Sequence, residues 1–391
     1  MPRPSVNITL GNGNLARVAT SSDGIAGMVL TGKAVPAKLE LNKHYQLNSA
    51  RDLDTLGIAA SDNPLAYKEV RAFYQQAGNG AELHLVVVSE ATTLTAMCDP
   101  ADGPLHTLID GSGGRISIVG VNKIAPDGYS PDLDQGIDGD AITAAEKAQA
   151  TAEDYATTRI WPFRVLMPAP AWSGTTEGLY KPREGSYNRV HFVIASDEAT
   201  GRSAAVGQAL GRAAFIEPHQ SLGRVMDGAV ASAGYATNGK TYLETAGLAD
   251  ALYDAGYILY VGYPGRNGVY FSGDSAAAPL SDDYSELYLG RIVDKAIRVV
   301  YDTYISSILD NIIFEKDGTL PLGACVSYQG VVTNAIASAM GGQISDFEAY
   351  VDPRQNVLSS GQFNIECGIS PQGVLRTINV NLGFTNPALK N

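Results

Sequence analysis

Positive charge is scarce in this 391-residue chain: 28 Lys and Arg stand against 41 Asp and Glu, for a formal net charge of -13 at pH 7. Phosphate recognition needs a basic surface, so the balance argues against nucleic acid as a direct partner and against anionic membrane surfaces. Cysteine is scarcer still. Cys98, Cys325 and Cys367 show no metal-binding spacing and imply no disulfide framework, so they read as buried thiols of a chain made in a reducing compartment. No run of about 18 apolar residues occurs, so no membrane span is expected. The opening "MPRPSVNITLGNG" has no apolar core region, so no signal peptide is expected either. G-x-S-x-G, H-E-x-x-H and C-x-x-C are all missing. The histidines His44, His84, His106, His191 and His219 fall in no metal spacing; His84 and His191 sit inside apolar strands and read as hydrogen-bonded structural residues. The expectation is a chain without cofactor, metal or catalytic residues.

Three stretches come near a motif. "ITLGNGNLA" places Gly11, Gly13 and Ala16 after a strand, as in a dinucleotide fingerprint, but the following "RVATSSDGIAG" does not open a helix that would point N–H groups at pyrophosphate. "GSGG" (111–114) lacks the Lys-Ser/Thr of a phosphate loop and precedes a strand. "DLDQGIDGD" offers Asp132, Asp134, Asp138 and Asp140 to calcium, yet counting from Asp134 puts Ala145 where a bidentate Glu belongs. Turn, turn and solvated acidic loop are the plainer readings.

Periodicity supplies the architecture. A short strand is expected near His44 to Leu47, then a helix capped by Asn48 or Ser49. Val70, Phe73, Tyr74 and Ala77 recur at helical spacing and Gly78 stands at the C-cap. "AELHLVVVSE", "RISIVGVN", "FRVLMPAP" and "RVHFVIAS" are continuous apolar runs, as in strands buried on both faces. Helical "DAITAAEKAQATAEDYA" and "SAAVGQALGRAAF" alternate with them, which predicts a largely parallel sheet with helices on it. From Ser281, a plausible cap, to Phe314 the chain reads as one helical region with an apolar stripe of Leu289, Ile292, Val293, Ala296, Val299 and Val300. "TNAIASAMGG" is a second helix and "ISDFEAYVD" a strand. "GQFNIECGI", with Phe363, Ile365, Cys367 and Ile369 on one face, is expected to form a hairpin with "VLRTINVNLGF" across "SPQG". In that last strand Ile378, Val380, Leu382 and Phe384 share a face, as Val6, Ile8 and Leu10 do near the other end.

The last third resembles contractile tail sheath proteins. "LYDAGYILYVGYPGRNGVYFSGDSAAAPLSDDYSELYLGRIVDKAIRVVY" matches their conserved stretch at Leu252, Gly256, Tyr257, Gly268, Gly273, Tyr284, Leu287 and Arg291. "GGQISDFEAYVDPRQNVLSSGQFNIECGISP" is similar to their closing domain at Phe347, Glu348, Tyr350, Asp352, Pro353, Asn356 and Gly361. The likeness covers about Leu252 to Phe384 and more thinly Lys33 to Ser89; "FSGDSA" departs from it, with Asp-Ser where many sheaths have Arg-Thr.

The resemblance implies an α/β chain, α+β overall. An inner sheath domain with a β-sheet and long helices is completed by terminal arms, and an outer α/β domain projects from it. The implied division is an N-terminal arm and strand at 1–32 that join the inner domain, outer and middle α/β domains at 33–280, and the inner domain with its C-terminal strand arm at 281–391. It further implies stacked hexameric rings of this chain around a tail tube, with baseplate and tail terminator proteins as partners. Such a chain is made in the bacterial cytoplasm and assembled into a phage tail or injection particle. Triggering at the baseplate shortens the sheath and drives the tube through a target envelope. Residues Val6, Ile8 and Leu10 and residues Ile378, Val380, Leu382 and Phe384 are then intersubunit strands, adding to a neighbour's sheet. Arg291, Lys295 and Arg298 lie along one side of the long helix and are expected to face the tube. The alternatives are a nucleotide-using α/β enzyme with its pocket at the strand C-termini, or another self-assembling shell protein.

Overall fold

Seven strands make one sheet in the computed structural model, which describes residues 22–124 and 131–384. They are β1 (Ala26–Gly32), β2 (His44–Leu47), β3 (Leu83–Ser89), β4 (Ile118–Asn122), β5 (Arg164–Pro168), β6 (Val190–Val193) and β7 (Tyr257–Ile258). Their spatial order is β7-β6-β5-β4-β1-β3-β2. All neighbours are parallel except β2, which runs antiparallel to β3 at the edge. The apolar runs explain this. Every residue of β1, β4, β5 and β6 is buried, so both faces of the sheet must be covered.

Alternate residues serve alternate faces. Met28, Leu30, Leu83, Leu85, Val87, Leu166 and Val193 pack under helices α1 (Pro64–Ala77) and α4 (Val206–Phe215). Val29, Val86, Val88, Val119, Val121, Val165, Met167 and Phe192 pack under α2 (Pro104–Gly111) and α3 (Gly139–Thr158). Helices α1 and α4 approach closely because α4 presents two glycines four residues apart. A Cβ on Gly207 would stand 2.3 Å from the Glu69 carbonyl oxygen, and one on Gly211 would stand 2.4 Å from that of Phe73.

A second unit follows the sheet. It consists of α5 (Leu287–Tyr304), α6 (Leu322–Met340) and an antiparallel pair, β8 (Ile344–Tyr350) and β9 (Glu366–Pro371). Tyr288, Ile292, Ala296, Val332, Ile336 and Met340 form its small core.

The expected elements recur with four corrections. The strand within segment 1–32, Ala26–Gly32, lies inside the seven-stranded sheet between β4 and β3, not in the second unit. The long helical region is shorter: α5 begins at Leu287, six residues after Ser281, and ends in a 3-10 turn at Ile305–Ser307. Ser281 lies outside it because Asp274 supplies the cap, as described below. The second helix starts at Leu322, well before Thr333. The hairpin of 361–369 with 374–384 does not form. β9 pairs with β8 instead, with Phe347 opposite Ile369, and residues 374–384 join no ladder. Asp138, a would-be calcium ligand, caps α3 by accepting the Asp140 N–H, and Asp140 pairs with Lys123 at 2.6 Å. No helix among the described residues is long and apolar enough to cross a membrane.

Candidate assembly interface

Helix α5 joins the two units by crossing the N-terminal ends of the sheet strands. Arg298 donates to the carbonyls of Gly114, Ile116 and Pro162 at 2.7–2.9 Å, just ahead of β4 and β5. Arg291 Nη2 reaches the carbonyls of Asp23 and Ile216, and Lys295 pairs with Asp23 at 2.5 Å and donates to Gln343. The stripe Arg291, Lys295, Arg298 therefore faces the chain's own sheet, a correction to the tube-facing expectation. Burial holds the Arg291 guanidinium down to about 10. The physical reason for the inward turn is the row of free carbonyls at the strand starts, which a cationic helix face satisfies.

Between these cations sits Asp294. Its carboxylate accepts from Arg164 Nε at 2.8 Å and from Arg189 Nη1 at 3.1 Å. Burial alone would push Asp294 up; the two guanidinium groups outweigh it and hold the carboxyl below its usual range. Gly290, one turn earlier, makes room for Arg164, since a Cβ there would lie 2.1 Å from the guanidinium carbon.

The start of α5 carries a second polar knot. The Asp274 carbonyl accepts the Leu287 N–H at 2.8 Å, and its carboxylate accepts the Tyr288 N–H at 3.2 Å and the Ser221 hydroxyl at 2.9 Å. Ser275 accepts from Arg183 at 2.6 Å. The Asp-Ser of "FSGDSA" thus caps α5 and binds Arg183. Burial, with the charge of Glu286 beside it, pushes Asp274 up to about 8. Glu286 Oε1 receives both Arg183 at 3.2 Å and Arg376 at 3.1 Å.

The free surface lies beyond this joint. Helix α6 contains no charged residue and buries only Cys325, Val332, Ile336 and Met340, leaving Leu322, Val326 and Val331 exposed. Strands β8 and β9 have no second neighbour among the described residues, so both outer edges are open. After Pro371 the chain runs on as an arm whose apolar side chains beyond Arg376 stand free: Ile378 is 72% exposed, Val380 78% and Leu382 93%, and Phe384 is fully exposed. Among the described residues, 16 of the 23 exposed large apolar side chains fall between Tyr301 and Phe384. That concentration separates a sticky unit from an ordinary α/β body, where scattered exposed apolar residues need no explanation.

Of the expected arm residues, the structure thus places Ile378, Val380, Leu382 and Phe384 on one exposed segment, while Val6, Ile8 and Leu10 lie outside the described residues, as do Gly11, Gly13 and Ala16. Arg164, Asp294, Glu286 and Arg376 were missed. A signal existed for two of them: Asp294 interrupts a cationic helix stripe, and Arg164 opens an otherwise apolar strand.

Among the described residues, nothing at the sheet ends favours a nucleotide site. At the C-terminal ends, Asn122 donates to the Ala204 carbonyl, Lys123 pairs with Asp140 and the Thr31 hydroxyl accepts the Ile124 N–H. A cleft of about 650 Å³ lies at the opposite end, between the strand starts and α5, walled by Arg115, Arg159, Lys295 and Arg298. Each of those cations is already engaged, with Glu82, Asp110, Asp23 and backbone carbonyls respectively.

Comparison with solved structures finds the same fold in contractile particles. The helical sheath of the anti-feeding prophage in its contracted state aligns at a TM-score of 0.60 and 15% identity, over 98% of this chain and 99% of that one. A chain of the six-fold symmetrised baseplate of the same prophage aligns at 0.59 and 14%, over 99% and 100%. A chain of the sheath complex of an extracellular contractile injection system, PVC, in its contracted state aligns at 0.59 and 12%, over 98% of each. At these identities the likeness speaks for the fold. The comparison with curated proteins gives no match. The family model described as DUF2586, N-terminal domain, matches residues 3–275, over two thirds of the chain, and the chain belongs to that family.

Proposed function

We propose that this chain is the structural subunit of a contractile tail sheath, without catalytic activity, that polymerises around a tail tube and shortens to drive it through a target envelope. The observation that carries the reading is the exposed apolar arm, Ile378 to Phe384, leaving a unit whose two-stranded sheet has open edges. A two-stranded sheet is marginal on its own. An alternating apolar arm and an open edge are the two halves of a strand addition between copies of one chain. The fold shared with sheath chains over nearly the full length supports the same reading. Its partners are then further copies in stacked hexameric rings, the tube, the baseplate and a tail terminator, in a phage tail or injection particle. Residues Val6, Ile8 and Leu10 supply the arm from the other end.

Negative-stain electron microscopy of the concentrated protein, alone and with its tube protein, tests the proposal. Hollow striated cylinders are expected from the full chain when its tube protein is present. Removing residues 377–391 is expected to leave a soluble monomer with unchanged far-UV circular dichroism that forms no cylinders. Cylinders of normal length from the truncated chain refute the arm's role; dispersed monomers from the full chain under every condition refute the sheath reading.

A further inference from the structure

Two side chains hold the arm to its own subunit. Gln372 donates to the Gly342 carbonyl at 2.6 Å, and Arg376 donates to Glu286 at 3.1 Å. Among the described residues beyond Arg376 no side chain makes a hydrogen bond or ion pair, and the apolar row begins. Glu286 is buried, whereas the Arg376 side chain is nearly half exposed. The Glu286 oxygen that receives Arg376 also receives Arg183, which is itself buried. Losing Arg376 therefore leaves Glu286 paired. That distinguishes this contact from an ordinary buried ion pair, where removing one partner strands a charge. The contact can open at modest cost.

Its neighbours favour the closed state. Burial weighs against the Arg376 guanidinium, but Glu286, with Tyr253 and Tyr288 close by, outweighs it and raises the group above its usual range. From Arg376 onward, Thr377 to Phe384 span about 26 Å when extended, eight residues at roughly 3.3 Å each.

We propose that Arg376 is a releasable clasp that fixes the root of the arm on its own subunit, so that only the segment after residue 376 exchanges. This rests on the sheath reading for its purpose, but the clasp itself is a property of the monomer. Arg376 is a positioning residue: it sets where the exchanged strand starts and hence the register it can reach on a neighbour. Being partly exposed, the pair weakens as salt rises.

A spin label at Thr377→Cys, in a Cys367→Ser background, reports the clasp directly, because Cys98 and Cys325 are buried. The monomer is expected to show a slow-motion component that Arg376→Gln abolishes, that high salt reduces and that Arg376→Lys partly retains, with circular dichroism unchanged throughout. A spectrum that is already fast, or that Arg376→Gln leaves unaltered, overturns the clasp. In electron microscopy, Arg376→Gln is expected to give short or irregular cylinders and Arg376→Lys to rescue them. Regular cylinders from Arg376→Gln overturn the positioning role. A wild-type chain that builds no cylinders sinks the sheath reading and leaves the spin-label result to decide the clasp.

Discussion

Replacing Asp294 by Asn should be among the most damaging single changes in the molecule. The carboxylate lies between Arg164 and Arg189 and is itself buried; the Arg164 side chain is 1% exposed. Removing the charge leaves the Arg164 guanidinium in a low-dielectric site with only the Asn188 carbonyl, at 2.7 Å, as a strong acceptor. Breaking a buried pair in this way costs about 3–5 kcal/mol, whereas replacing both partners by apolar groups of similar volume is often neutral. Asp294→Asn should therefore lose about that much, and Arg164→Met with Asp294→Leu should recover most of it. Urea unfolding followed by two probes measures both the size and the place of the effect. Trp161 and Trp172 both belong to the sheet body, with Trp161 on the wall of the cleft under α5, so fluorescence reports that unit while circular dichroism reports both. In the wild type the two signals should coincide. In Asp294→Asn the circular dichroism should begin to fall first, as the α5–α6 unit detaches. A loss below about 1 kcal/mol, or a double replacement no better than the single one, would refute the argument that this pair ties the units together.

Further predictions concern Asp274 and two glycines. The Asp274 carboxyl is raised to about 8 when folded against an ordinary value near 4 when unfolded, so the unfolded chain gives up this proton first. Wild-type stability should accordingly decline from about pH 4 to about pH 8 through this group. Asp274→Asn, which keeps the acceptor for the Tyr288 N–H, should flatten that slope in thermal melts; an unchanged slope counts against the burial of a charged group there. Gly211→Ala should destabilise by about 1–3 kcal/mol, since its methyl meets the Phe73 carbonyl oxygen at 2.4 Å. Gly330→Ala, in α6 with nothing within 4 Å of its Cβ, should instead stabilise by up to about 1 kcal/mol through helix propensity. Chemical denaturation of both variants tests the contrast, and a common sign would refute it.

The sheet was legible because its strands are buried on both faces, and burial writes itself as apolar runs. Leu83–Ser89 and Ile118–Asn122 follow their runs closely, and α1 ends where Gly78 marks it. What the residues hid was long-range pairing. Nothing local says that Glu366–Pro371 pairs with Ile344–Tyr350 and not with the similar strand that follows it. A turn sequence and two alternating strands predict a hairpin, but a segment that joins no ladder of its own chain looks the same in sequence. The cationic stripe of α5 misled for a related reason. A charged helix face reads as solvated, and only the fold shows that strand ends with unpaired carbonyls lie opposite it. The start of α5 was misplaced because its cap comes from Asp274, thirteen residues before Leu287 and remote from any local capping pattern.

The energetics of the arm bear on how a sheath of such chains would assemble. Burying Ile378, Val380, Leu382 and Phe384 on a neighbour yields roughly 6–12 kcal/mol at about 1.5–3 each. Some six ladder hydrogen bonds add about 3–9 kcal/mol net. Ordering eight residues costs roughly 8–16 kcal/mol of backbone entropy. The sum lies within a few kcal/mol of zero, so a single exchanged arm does not hold two copies together at ordinary concentrations. A copy already held by one contact meets the next at a far higher effective concentration. Arms of this strength leave the free chain monomeric and make growth depend on a template that presents several sites at once. A clasp at Arg376 sharpens that dependence, because it shortens the free segment and so narrows the set of neighbour positions that can capture it. On the sheath reading, a stronger arm would polymerise anywhere, whereas this one would require a surface, such as a tube or an existing ring, on which neighbours are already in place.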